Sequence, residues 1–261
     1  MEFRLRDLRV FCTFRKAVVS GGFAVGLLTL ASSTQALANN LIVNGGFEQT
    51  TNGLGQFDDL TQATGWTSAP LNGQLAYNFL FGPGTADTTG ENGQYGNLQL
   101  WGPNNGSNNG LPATSPDGGN FVAADGAFQT APITQVVNGL TPGADYTVSF
   151  YWAGAQQSGF SGATTEQWQV SLGAQTQSTP ILDNADHGFT GWQLASFTYT
   201  ATQASEVLSF LAAGTPDGEP PFSLLDGVSM SAAPEPGTAG LLVGGLLCAL
   251  GAIRFGKKVK S

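Results

Sequence analysis

Between Asn39 and Ala233 the chain contains no lysine, no arginine and no cysteine. All nine basic residues fall within the first sixteen or the last eight positions, and the two cysteines, Cys12 and Cys248, also lie outside this stretch. A domain without cationic side chains can neutralise no phosphates, which excludes nucleic acid as a partner. A domain without thiols can build neither a disulfide framework nor a thiolate metal site. Catalytic motifs are missing too: there is no G-x-S-x-G, no H-E-x-x-H and no phosphate-binding glycine-lysine loop, and His187 is the single histidine. No constellation of residues rises above composition, so a non-catalytic role is expected.

Acid is what the stretch does contain. Fifteen of the eighteen carboxylates lie between Asn39 and Ala233, giving that part a charge of about −15. With no basic partners, these groups must be solvated, hydrogen-bonded or bound to cations, and a dissolved divalent metal is the natural counter-charge.

The two ends of the chain differ from the middle. Arg4, Arg6, Arg9, Arg15 and Lys16 precede an apolar run from Ala17 to Ala31, and Ala36-Leu37-Ala38 supplies a small-residue cleavage pattern. Together these make a secretory signal peptide over 1–38, with export machinery and signal peptidase as partners and cleavage after Ala38.

Residues 39–233 read as strands separated by Gly, Pro, Asn and Asp. In "ADYTVSFYW" the residues Tyr146, Val148, Phe150 and Trp152 alternate with Asp145, Thr147 and Ser149, a period of two. "EQWQVSLG" repeats the pattern with Trp168, Val170 and Leu172. About ten such stretches, none with a helical period, predict an all-β antiparallel sandwich or jelly roll. Two segments rich in Gly, Asn, Pro and Thr, "FGPGTADTTGENGQYG" and "WGPNNGSNNGLPATSPDGG", are expected to be ordered surface loops. "DNADHG", Asp183 to Gly188, lacks the spacing of a calcium loop and is expected to be a solvated turn.

The C-terminal segment 234–261 holds Pro234-Glu235-Pro236, an apolar stretch over 238–253, and Arg254, Lys257 and Lys258. In order and spacing it resembles the PEP-CTERM sorting signal of Gram-negative bacteria. Sixteen helical residues span about 24 Å, short of a roughly 30 Å hydrocarbon core. The resemblance implies a short transmembrane helix that holds the exported protein transiently in the inner membrane. An exosortase-type enzyme then cuts near the PEP, and the product reaches the cell surface or the extracellular matrix. A plain C-terminal anchor is the alternative.

In the middle, "NLIVNGGFE" (Asn40 to Glu48), "GLTPGADYTVSF" (Gly139 to Phe150) and "LLDGVSM" (Leu224 to Met230) resemble patches of the galactose-binding-like jelly rolls, which include many carbohydrate-binding modules. That resemblance implies a structural Ca²⁺ held by Glu48 and Asp226. Gly227 stands where a second acid is commoner, which removes one potential ligand. It also implies a glycan ligand. Of the five tryptophans, Trp152 and Trp168 fall on alternating core faces, whereas Trp101 and Trp66 are flanked by Gly-rich turns and are the candidate sugar-stacking rings. The sequence thus points to a non-catalytic binder of extracellular polysaccharide. A ligand-free matrix protein and a glycan-active enzyme working through paired carboxylates are the alternatives.

Overall fold

A computed structural model describes residues 39–68 and 73–233. The signal segment 1–38 with Ala36 and Ala38, and the sorting segment 234–261 with its apolar helix, lie outside the described residues.

Sixteen strands follow in chain order among the described residues. The first seven are short: β1 Thr50–Thr51, β2 Gly55–Gln56, β3 Gln62–Ala63, β4 Thr67–Ser68, β5 Asn78–Phe81, β6 Glu91–Gly93 and β7 Gly96–Leu98. Then come β8 Phe121–Asp125, β9 Ile133–Asn138, β10 Asp145–Gln156, β11 Thr164–Leu172 and β12 Gln175–Ser178. The last are β13 Leu182–Asn184, β14 Gln193–Thr200, β15 Ser205–Thr215 and β16 Pro221–Ala232. None of the described residues is helical, in keeping with the absence of any helical period.

Two sheets form the sandwich. One runs β14-β10-β16-β8-β5-β2, and the other β12-β11-β15-β9-β4 with β13 on the flank of β11. Every pairing of these named strands is antiparallel. The alternation read from "DYTVSFYW" holds: Tyr146, Val148, Phe150 and Trp152 of β10 are buried and face Trp168 and Val170 of β11 and Phe210 of β15 across the core. Phe150 meets Phe210 edge-on at 5.0 Å between ring centroids, and Trp168 meets it at 6.0 Å. This core of interdigitated inner faces drives the fold, at about 25 cal/mol for each Å² of apolar surface removed from water.

The long segment between β5 and β8 is ordered. It carries the β6–β7 hairpin and then runs along the β10–β11 connection, where Trp101 N donates to Gln156 O at 2.9 Å and Ser158 N to Gln99 O at 2.8 Å. This end of the sandwich therefore collects several connections: 94–95, 99–109, 126–132, 157–163, 185–192 and 216–220. β16 contains a bulge. Ser149 pairs with Ser229 but Tyr151 with Asp226, so one residue of β10 is spanned by two of β16, with Gly227 at φ +58°.

Candidate functional site

The bulge decides where Asp226 points. Its side chain is fully buried: Oδ2 accepts a hydrogen bond from Ser115 Oγ, while Oδ1 has no partner. Burial, opposed in part by the Ser115 and Gly227 hydrogen bonds and reinforced by the charges of Asp117 and Glu48, pushes the Asp226 carboxyl up to about 8. Glu48 is exposed, with Oε1 accepting from Asn120 N at 2.7 Å. A methyl group built on Gly46 would lie 3.0 Å from Asp117 Oδ2 and 3.9 Å from both Asp226 Oδ1 and Glu48 Cγ. Gly46 thus sits among three acids, and its missing side chain leaves the space between them open.

The structure brings Glu48 and Asp226 into one neighbourhood and adds Asp117, which the sequence reading missed. Gly227, where a second acid was noted as absent, packs against Asp117, whose Cβ would lie 3.0 Å from a side chain there. Asp117 thus brings a carboxyl beside that position from a different loop. Only its place in "SPDGG", a turn with a carboxylate, could have signalled this. The donor types suit a hard cation, because an orphaned Asp226 oxygen and an Asp117 oxygen border an open point with the Glu48 side chain beside it. Among the described residues no three His, Cys, Asp or Glu side chains converge closely enough to hold a metal by themselves. A bound ion would therefore draw on backbone carbonyls and water as well.

The two tryptophans separate. Trp66 is a core residue, 2% exposed, packed on Phe47 at 5.1 Å and Phe210 at 6.2 Å, with Nε1 donating to Asn44 O at 2.9 Å. Both ring faces and the indole N–H are occupied, so Trp66 offers no platform for a sugar, and that expectation is corrected. The Gly65 turn sets its backbone at the surface while the indole swings inward. Trp101 is half-buried, and its Nε1 donates to Phe160 O at 2.8 Å. The imidazole of His187 lies against it, with ring centroids 4.1 Å apart and planes at 35°.

"DNADHG" is also more than a solvated turn. Asp183 and Asn184 belong to β13, and His187, at φ +56°, is tied down from both sides. Its N donates to Gln156 Oε1 at 2.8 Å, and its carbonyl accepts from Ser107 Oγ at 2.7 Å and Asn109 Nδ2 at 3.0 Å. Beside it opens a cleft of 520 Å³ lined by His187, Phe189, Asn108, Asn109, Asp186 and Thr190 among others.

Ser161 Oγ lies 2.9 Å from His187 Nε2, and Asp186 Oδ1 lies 3.4 Å from that same nitrogen. In a nucleophilic triad the carboxylate must hold the nitrogen opposite the nucleophile, to fix the tautomer and carry the imidazolium. Here both groups sit on Nε2, and Asp186 Oδ1 already accepts from Gly162 N at 2.6 Å. This arrangement positions the histidine; it does not activate the serine.

No family model and no curated protein matches the chain. Among solved structures it is similar to the enzymatically active domain of bacteriophage CBA120 tailspike protein 4, at 11% identity and TM-score 0.38, covering 74% of this chain and 21% of that one. The chain thus spans about a fifth of that domain's length. It is similar to a CBM4 structure, at 17% identity and TM-score 0.33, covering 74% and 99%. It is also similar to the CBM22-1 xylan-binding domain of Paenibacillus barcinonensis Xyn10C, at 13% identity and TM-score 0.36, covering 75% and 95%.

Proposed function

We propose that this chain is an exported, non-catalytic glycan-binding protein of the cell surface or extracellular matrix. The observation that carries the reading is the cleft beside Trp101. It is lined by His187 and Phe189 together with Asn108, Asn109, Asp186 and Thr190, on a framework held by four hydrogen bonds that His187 and Asn109 make. Sugars present apolar C–H faces ringed by hydroxyls, so a ring face bordered by amide and carboxylate groups matches them on both counts.

Charge narrows the ligand. An acidic surface with no Lys or Arg between Asn39 and Ala233 repels uronic-acid polymers unless calcium bridges the two sets of carboxylates, and it favours neutral glycans. Ca²⁺ at Glu48, Asp117 and Asp226 would hold the first loop to β16 and the 115–120 loop, a structural role. Sorting rests on the sequence of the ends: release of the signal after Ala38, transient inner-membrane insertion through the C-terminal apolar segment, and cutting by an exosortase-type enzyme near Pro234-Glu235-Pro236. Affinity electrophoresis against neutral and uronic-acid polysaccharides, with and without calcium, tests the reading. Folded protein that no polysaccharide retards would leave a ligand-free matrix protein instead.

A further inference from the structure

At the same loop-bearing end of the sandwich, away from the His187 cleft, three aromatic rings pack together. Tyr77, packed against Phe79 and Phe222, is buried; Tyr95 is 61% and Phe128 40% exposed. Ring centroids are 5.5 Å apart for Tyr77 and Phe128, 6.1 Å for Tyr77 and Tyr95, and 5.9 Å for Tyr95 and Phe128. Single exposed aromatics need no explanation, but a contiguous pair locked in position does.

The lock is specific. Gln94 and Tyr95 form the tip of the β6–β7 hairpin. Gln94 N donates to the buried Gln56 Oε1 at 2.7 Å, Gln94 Nε2 to Gln129 Oε1 at 2.6 Å, and Gln129 Nε2 to the Tyr95 hydroxyl oxygen at 2.8 Å. Gln129 adopts φ +44°, a left-handed conformation that non-glycine residues seldom take. Phe128 is placed from below, where Asp125 Oδ1 accepts from Ala127 N at 2.8 Å and Phe128 N at 3.0 Å. Two polar networks thus hold two solvent-facing rings still, which is the pre-organisation that lowers the entropic cost of binding.

The polar rim says what covers the rings. The Tyr95 O–H remains free to donate, Gln94 Oε1 to accept, and each glutamine amide keeps a second N–H. The patch is therefore apolar at its centre and hydroxyl-matching at its edge. With no Lys or Arg between Asn39 and Ala233, it has nothing to attract an anionic lipid or polymer. The planes of Tyr95 and Phe128 are inclined at 55°, so they form an open angle and not a flat strip.

We propose that Tyr95 and Phe128 form a second glycan subsite, a stacking platform for the pyranose rings of a single soluble neutral chain, unsuited to a flat crystalline surface. This rests on the glycan-binding reading above and extends it to residues outside the Trp101 cleft. The test is affinity electrophoresis of the purified protein in soluble hydroxyethylcellulose and galactomannan, with pull-down on microcrystalline cellulose alongside. Both side chains are exposed, so Tyr95→Ala and Phe128→Ala are expected to fold, which circular dichroism checks. Each should weaken binding to a retarding soluble glycan by roughly five- to a hundredfold, Tyr95→Phe should keep most of it, and the crystalline polymer should not bind. If wild type is retarded and the Tyr95→Ala/Phe128→Ala double variant is retarded equally, the platform is wrong and the cleft reading stands. Binding to the crystalline surface that depends on these rings also overturns the single-chain assignment. If wild type is retarded by neither glycan, the neutral-glycan reading itself fails, and the platform with it.

Discussion

His187 packs against Trp101 at a tilt of 35°, with ring centroids 4.1 Å apart, and its backbone carbonyl receives hydrogen bonds from Ser107 and Asn109 of the Gly/Asn-rich loop. The single histidine of the chain thus acts as a clasp. It joins the 102–110 loop to the β13–β14 connection and sets one wall of the cleft.

Replacing His187 by alanine should remove the ring that packs on Trp101 and meets Ser161 Oγ while leaving the backbone hydrogen bonds in place, and replacing Trp101 by alanine should remove its seat. Each is expected to weaken glycan binding by about 1 to 3 kcal/mol, the range seen when a ring-stacking platform is truncated, or roughly five- to 150-fold in affinity. Titration calorimetry with a retarding glycan measures it. Unchanged affinity in a folded Trp101→Ala variant would move the binding site elsewhere.

Trp66→Ala should act differently, because that ring is a core residue between Phe47 and Phe210. A loss of about 3 to 5 kcal/mol in unfolding free energy is expected from the cavity and the lost transfer energy. Denaturant titration reports the stability. At temperatures where the variant remains folded, glycan affinity should match wild type.

The contrast shows what was legible in the sequence. Alternation marked β10 and β11 because their side chains obey a period of two over many residues, and the inward set of β10 is buried as read. Trp66 has no such context. The glycine before it, Gly65, describes the backbone of a turn and says nothing of the direction in which the indole leaves it. Pairing Glu48 with Asp226 needed only that the first loop meets the last strand, which matching patches could convey. Asp117 lies in a loop whose path back to Gly46 depends on the whole β5–β8 segment, and no local pattern encodes that. Tyr95 was invisible for the same reason: its partner Gln129 belongs to another connection.

Glu166 provides a pH-dependent test. It is fully buried, Thr164 Oγ1 donates to Oε1, Oε2 has no partner, and burial pushes its carboxyl up to about 8. The folded state therefore keeps a proton that the unfolded chain gives up near the ordinary glutamate value, and unfolding releases it. The contribution is greatest below about pH 4.5 and is lost as pH rises towards 8. Asp125, pushed up to about 6 by burial, adds to the slope over the lower part of that window. Glu166→Gln should flatten the decline of unfolding free energy between pH 5 and 8. An identical slope in variant and wild type would mean that Glu166 is ionised in the fold.

Processing of the ends is testable by intact mass. Protein recovered from its native host should begin at Asn39 and end between Pro234 and Pro236. A main species that retains Arg254, Lys257 and Lys258 would favour a permanent anchor over sorting and release.

Calcium should stabilise the fold through the acids around Gly46. An ion that binds only the folded state adds RT ln(1 + [L]/Kd), about 2.7 kcal/mol at a hundredfold excess over Kd. For a domain of this size that is roughly 5 to 10 °C in melting temperature. The gain has a definite source: Asp226 carries an unpartnered oxygen in a fully buried site, facing Asp117 and Glu48 with no cationic side chain to offset them. A divalent ion would displace the proton that burial keeps on Asp226 and draw its carboxyl towards the metal beside Asp117 and Glu48. Thermal melts in calcium and in chelator should therefore differ for wild type and coincide for Asp226→Ala, with Glu48→Ala and Asp117→Ala in between. Magnesium should substitute poorly, since it demands near-octahedral geometry at shorter distances and gives up water reluctantly, whereas calcium tolerates an irregular set of carboxylate, carbonyl and water oxygens. Coincident melts in wild type would remove the metal. A calcium shift that survives Asp226→Ala unchanged would place the ion at other acids of the domain.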